Sequence, residues 1–154
     1  VSDYCWCLAT PAIDDLIREH DELVELSALA RAAYRCGDIE ALVESCTAIT
    51  SVLGPHTEVE ERGLFPPMAV EFPEKIAILC GEHRRIEAVL AGATDGTGGT
   101  DPAWPARVIE TLTLLRRHIV KEQEGLFPAA LSVLSSDDWE VLADIRDRCG
   151  MLTS

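Results

Sequence analysis

Aromatic side chains are scarce in this chain, at 5% of its 154 residues, and 13 Lys and Arg stand against 27 Asp and Glu. A net charge of −14 repels phosphate backbones, which excludes nucleic acid as the partner. No apolar run reaches the ~18 residues that a spanning helix needs. The first residues, Val1-Ser2-Asp3-Tyr4-Cys5-Trp6-Cys7, have neither the basic start nor the apolar stretch of a secretory signal. The expected location is therefore the cytosol, away from membranes. Also lacking are a nucleophile elbow, a phosphate-cradling loop and a dinucleotide fingerprint. Gly96, Gly98 and Gly99 superficially resemble such a loop but follow no strand, so they read as a flexible linker.

Six cysteines (Cys5, Cys7, Cys36, Cys46, Cys80 and Cys149) do not imply a disulfide scaffold. The chain is long and apolar enough to fold without one, and the cytosol is reducing. Cys46 and Cys80 fall on apolar helix faces, where a free thiol packs as a small hydrophobe. Cys5-Trp6-Cys7 belongs to a short tail, residues 1–9, read as a frayed end rather than as a redox or metal-handling pair.

Residues 10–154 read as one all-α domain. Thr10 followed by Pro11 predicts the start of a first helix running to about Arg35, where Cys36-Gly37 ends it. Asp38 caps a second, with Leu42, Cys46, Ile49, Leu53, His56 and Glu60 on one stripe. Gly54-Pro55 is expected to kink this helix, and Gly63-Leu64-Phe65-Pro66-Pro67 to close it. A third helix from about Pro73 to Gly92 turns Ile76, Cys80, His83 and Leu90 inward. A fourth begins at Asp101-Pro102 and carries Val108, Leu115, His118 and Glu122. Ser136 is expected to cap a short closing helix from Asp137 to about Cys149. The pattern predicts an antiparallel, up-down-up-down four-helix bundle with an extra C-terminal helix.

The two halves resemble each other. Glu19-His20 recurs as Glu82-His83, and His56-x-x-x-Glu60-Glu61-x-Gly63-Leu64-Phe65-Pro66 recurs as His118-x-x-x-Glu122-Gln123-x-Gly125-Leu126-Phe127-Pro128. The offsets are 63 residues from His20 to His83 and 62 from His56 to His118. Duplication of a helix pair accounts for both and predicts a pseudo-two-fold axis.

All four histidines of the chain lie in this repeat. His56/Glu60 and His118/Glu122 are i,i+4 pairs, so each sets an imidazole and a carboxylate on one helix face. His20 and His83 sit among apolar neighbours on the other two helices. A lone histidine on an apolar stripe is ordinarily a core residue with one satisfied nitrogen. Six polar groups buried without partners, however, would cost about 1–3 kcal/mol each, and a metal removes that penalty. Two metals could each take two imidazoles, with both carboxylates bridging. An oxo or hydroxo bridge would then leave about one open position on each. Mixed nitrogen and oxygen donors without thiolate suit iron or manganese, with zinc as the impostor. This donor set is not the Glu-x-x-His arrangement of ferritin-like iron oxidases.

The pattern His, His-x-x-x-Glu, His, His-x-x-x-Glu, with Leu-Phe-Pro after each pair, resembles the hemerythrin-like (HHE cation-binding) family over about Thr10 to Leu134. The resemblance implies a two-iron, non-haem centre on His20, His56, Glu60, His83, His118 and Glu122. It also implies a small-molecule partner, dioxygen or hydrogen peroxide, in a monomer or homodimer. Oxygen carriers of this family have a histidine four residues after the third-helix histidine and an aspartate five after the fourth-helix one. Here those positions hold Glu87 and Gln123, so the chain resembles a four-histidine subgroup and reversible carriage is disfavoured. Glu87 reads as a solvated acid beside Arg84, with ligation as the alternative. Glu58 and Glu61 read as surface acids or neighbours of the site. Three functions stay open: ligand binding in oxygen or redox sensing or an oxidative-stress response, catalase-like peroxide decomposition, and an iron-responsive switch.

Overall fold

The computed structural model describes residues 3–153, with side chains described from 7 to 150. Helix α1 (Asp3–Arg35) begins earlier than Thr10, and Pro11 lies inside it. Proline removes only the bond to the carbonyl four residues back, and Thr10 and Pro11 both face solvent. Buried Ala9, Ala12, Ile13 and Leu16 hold this turn on the core. Of the Cys-x-Cys pair, Cys7 is exposed with a free thiol, while the Cys5 side chain lies outside the described residues.

Helix α1 ends as its glycine requires. Gly37 takes φ +68°, its N–H donates to Tyr34 O, and Asp38 N–H reaches back to Ala33 O. Asp38 then caps α2 (Ile39–Val59), its Oδ1 accepting from Ala41 N at 3.0 Å. The helix continues through Gly54-Pro55.

Gly63-Leu64-Phe65-Pro66-Pro67 does not close the segment. Residues Glu60–Leu64 form a π turn, in which Phe65 N–H donates to Glu60 O five residues back, and α3 (Phe65–Glu71) follows directly. The extra residue shifts the register, so Pro66 and Pro67 occupy an opening turn where a missing N–H is tolerated. The same device recurs in the second half. Helix α4 (Pro73–Leu90) is followed by a 3₁₀ turn, a one-turn helix α5 (Thr97–Thr100) and α6 (Trp104–Lys121). A second π turn, Glu122–Leu126, with Phe127 N–H on Glu122 O, leads into α7 (Phe127–Val133).

The glycine-rich connection is therefore not a plain linker. Gly98 is buried where a Cβ would press on Gly92 O at 3.1 Å, Val43 at 3.2 Å and Trp104 at 3.3 Å, and Trp104 Nε1 donates to Val89 O at 2.8 Å. Helix α6 opens at Trp104 rather than Asp101, because Asp101 Oδ1 is occupied in a turn, accepting from Ala103 N. Helix α8 (Ser136–Thr153) is 18 residues long rather than short. Its cap is Ser135, not Ser136: Asp138 N–H donates to Ser135 Oγ while Ser135 N–H donates to Asp138 Oδ2, a reciprocal capping box.

Helices α1, α2, α4 and α6 form an antiparallel four-helix bundle, with α8 laid across α1 and the first π turn. The buried apolar residues form two clusters, one containing Leu16, Val59, Leu64, Phe65, Leu79 and Leu126, the other Leu23, Leu53, Ile86, Leu90 and Leu115. On α1, α2 and α4 a histidine stands between the two, and on α6 one stands near the end that leads into the second π turn. His20 follows Leu16 and precedes Leu23, His56 separates Leu53 from Val59, His83 separates Leu79 from Ile86, and His118 separates Leu115 from Leu126. One polar layer thus crosses an otherwise apolar core.

Candidate metal centre

All six residues singled out by the repeat are buried, with Glu60, Glu122 and His83 at 0% exposure. They form two overlapping groups able to hold a cation: His20, His56, Glu60 and Glu122, and Glu60, His83, His118 and Glu122. Within each group one donor atom per residue lies within 4.8 Å of all the others. Both groups contain Glu60 and Glu122, so the two carboxylates lie between two pairs of imidazoles. Each carboxylate is also the first residue of a π turn, where the widened helix re-aims the side chain.

Toward the centre, His56 Nε2 and His83 Nε2 lie 3.3 and 3.2 Å from Glu60 Oε1. His20 Nε2 is 3.0 Å from Glu122 Oε1, and His118 Nε2 3.4 Å from Glu122 Oε2. His56, His83 and His118 Nε2, both Glu60 oxygens and Glu122 Oε2 are buried with no hydrogen bond. A cluster of orphaned nitrogen and carboxylate oxygen atoms is costly to bury and is what a borderline-hard cation satisfies. The donor set fits a metal.

On its outer side every imidazole is held by a second residue. His56 Nδ1 meets Glu19 Oε1 at 2.9 Å and His118 Nδ1 meets Glu82 Oε1 at 2.9 Å. His83 Nδ1 meets Glu61 Oε2 at 2.6 Å, and His20 Nδ1 meets Gln123 Oε1 at 2.8 Å. An ionised carboxylate only accepts, so in these three pairs the proton sits on Nδ1. Outer acceptors of this kind fix the tautomer and ring plane of metal-ligating histidines. Cations brace the three acids: Arg146 forks onto Glu19 at 2.7 and 2.8 Å, Lys121 holds Glu82 at 2.5 Å, and Arg84 contacts Glu61. Phe127 and Phe65 stack on His20 and His83, which explains the repeated Leu-Phe-Pro.

Glu87 is not part of the site: it lies 3.7 Å from Arg84 at the surface. Glu58 pairs with Arg62 in solvent. The sequence reading missed Glu19, Glu82 and Gln123 as supports, along with Lys121 and Arg146. The signal for the first three was present, since each neighbours a repeated ligand-type residue; Arg146 lies outside the repeat.

Proton distribution in the protein alone follows from burial and charge. Burial pulls His20 down to about 4, with repulsion from His56 adding to it, so His20 is neutral. Burial also drives Glu122 well above the usual carboxylate range, and the charge on Glu60 pushes it further. A protonated Glu122 then donates to His20 Nε2. For His56, burial is outweighed by the charge of Glu60 and the bond to Glu19, which raise it to about 10. Glu60 is held ionised: the cost of burial is outweighed by the charge of His56 beside it.

The family model of the hemerythrin HHE cation-binding domain matches residues 12–130. The chain belongs to the hemerythrin HHE family. Comparison with curated proteins and with solved structures gave no match. The match spans the four bundle helices and both π turns, so this HHE domain is a cation-binding fold whose buried histidine and glutamate layer lies inside the matched span. Helix α8 follows the match. Among the described residues no helix is long and apolar enough to cross a membrane.

Proposed function

We propose that this HHE domain holds two iron ions on His20, His56, Glu60, His83, His118 and Glu122 and acts on dioxygen or peroxide, in oxygen or redox sensing. The observation that carries this reading is the sharing of Glu60 and Glu122 by both donor groups. Two irons so placed would supply a pair of electrons and open positions to a small oxidant. The chain's own residues do the rest. Glu60 and Glu122 would lie between the ions, and Glu122 would give up its proton on loading. The four Nδ1 bonds keep each Nε2 lone pair turned inward. Phe65, Phe127 and the two apolar clusters keep bulk water away from the layer.

Peroxide decomposition is the second reading. Glu87 stays with Arg84 at the surface and adds no donor on the third bundle helix, and the open position so left would serve peroxide as well as dioxygen. One experiment separates the two. Iron-loaded protein is reduced, mixed with air and then with hydrogen peroxide, while visible spectra and evolved oxygen are recorded. A stable, reversible band supports ligand binding, and repeated oxygen release supports the enzyme. Fewer than two irons per chain refutes the dinuclear reading. His118→Ala is expected to lose at least one iron and its charge-transfer absorption; full retention would refute the ligand set.

A further inference from the structure

The pseudo-two-fold relation between the halves is broken outside the ligands. At the His83/His118 position both imidazoles bond to carboxylates, Glu61 and Glu82. The cations bracing those acids are well solvated, Arg84 being 58% exposed and Lys121 49%. Water screens such cations, so much of the negative charge on Glu61 and Glu82 remains to polarise the rings. At the His20/His56 position one ring bonds to the neutral amide of Gln123. The other bonds to Glu19, whose oxygens are both taken by the guanidinium fork of Arg146, only 21% exposed. A bidentate, poorly solvated arginine draws charge away from its carboxylate. Both rings at this position therefore have the weaker outer acceptor.

An outer carboxylate strengthens an imidazole as a donor, and loss of such a partner typically lowers metal affinity about 10- to 100-fold. We infer that Gln123 and Arg146 make the two cation positions unequal. The His83/His118 position fills first and retains its ion, while the His20/His56 position is the exchangeable one. The stronger donors also favour the higher charge, so the exchangeable position is the more easily reduced. This rests on the two-ion reading above.

The test is chelator extraction from the iron-loaded full chain, following iron remaining per chain. Two phases of equal amplitude are expected, with rates about 10- to 100-fold apart. His56→Ala should leave only the slow phase and His118→Ala only the fast one. Gln123→Glu should slow the fast phase, and Glu61→Gln should speed the slow one, so each variant narrows the gap from the opposite side. A general loss of packing would speed both phases and cannot produce the first result. A single phase in the native chain, or rates unmoved by both variants, overturns the inference while leaving two ions in place. One iron per chain or none in the native protein would instead overturn the two-ion reading.

Discussion

Phe127 lies flat against the imidazole of His20, ring centroids 5.5 Å apart and planes 12° from parallel, although the two residues come from opposite halves of the chain. Phe65 repeats the contact on His83 at 5.7 Å and 8°. Each π turn thus delivers its buried carboxylate and, five residues later, the ring that steadies a histidine of the other half. Phe127→Leu removes the stacking but keeps an apolar residue. It should cost about 0.5–1.5 kcal/mol, and Phe65→Leu a similar amount, read from denaturant midpoints. A large difference between them would mean that the two contacts are not equivalent.

Two repeat-related glycines should respond oppositely to alanine. A Cβ on Gly63 would sit 3.1 Å from the Leu142 backbone and 3.2 Å from its side chain, where α8 crosses the first π turn. Gly63→Ala should destabilise by about 1–3 kcal/mol through overpacking. The matching Gly125 has nothing within 4 Å of its Cβ position. Gly125→Ala should be neutral or stabilising by up to about 1 kcal/mol, since alanine is the better helix former. Thermal melts of both variants check this, and equal losses would count against the docking of α8 at Gly63.

Protonation of the layer should make metal-free protein sensitive to alkali. His56 is raised from 6.5 to about 10, so the stability it contributes is full below pH 6.5 and lost as pH climbs through 10. Glu122, raised above 4.5, acts in the same direction. The melting temperature of chelator-stripped protein should therefore fall between pH 7 and 10. Metal-loaded protein should not show this decline, because both groups are then already deprotonated. Loading at pH 7 should release the additional proton held by His56, measurable in weak buffer with an indicator dye. Metal uptake without proton release would refute this assignment of charge.

Arg146 is the contact through which α8 reaches the site, 127 residues from Glu19 in sequence. Arg146→Met keeps the apolar stem and leaves Glu19 with His56 alone. A loss of about 1–3 kcal/mol is expected for a charge-assisted pair, at the low end because the pair is partly solvated. Amide exchange along α8 should rise. Unchanged exchange would mean that the helix is held by Trp139, Leu142 and Ile145 without help from the ion pair.

Much of this protein is written in local pattern. The three- and four-residue spacing of Leu42, Cys46, Ile49, Leu53 and His56 dictates a helix face, and Gly37-Asp38 dictates the break before it. The duplicated His-x-x-x-Glu places imidazole and carboxylate one turn apart whatever the rest of the chain does. These features depend on neighbours within one or two turns, so the sequence alone determined the bundle and its six inward polar groups. Pro66 and the glycines near Gly98 misled for the same reason. Read locally they are terminators and linker, whereas a π turn and the Trp104 ring supply the alternative.

Tertiary structure decided what lies behind each imidazole. Gln123 serves His20 across 103 residues, Glu82 serves His118 across 36, and Glu61 serves His83 across 22. None of these pairings follows from spacing on one helix, because each depends on which helices pack side by side and at what rotation. The inequality between the outer partners of the two histidine pairs belongs to this level too. It arises because Arg146 on α8 closes over Glu19 where solvent reaches the cations bracing Glu61 and Glu82, and burial of that kind exists only once the helices have packed.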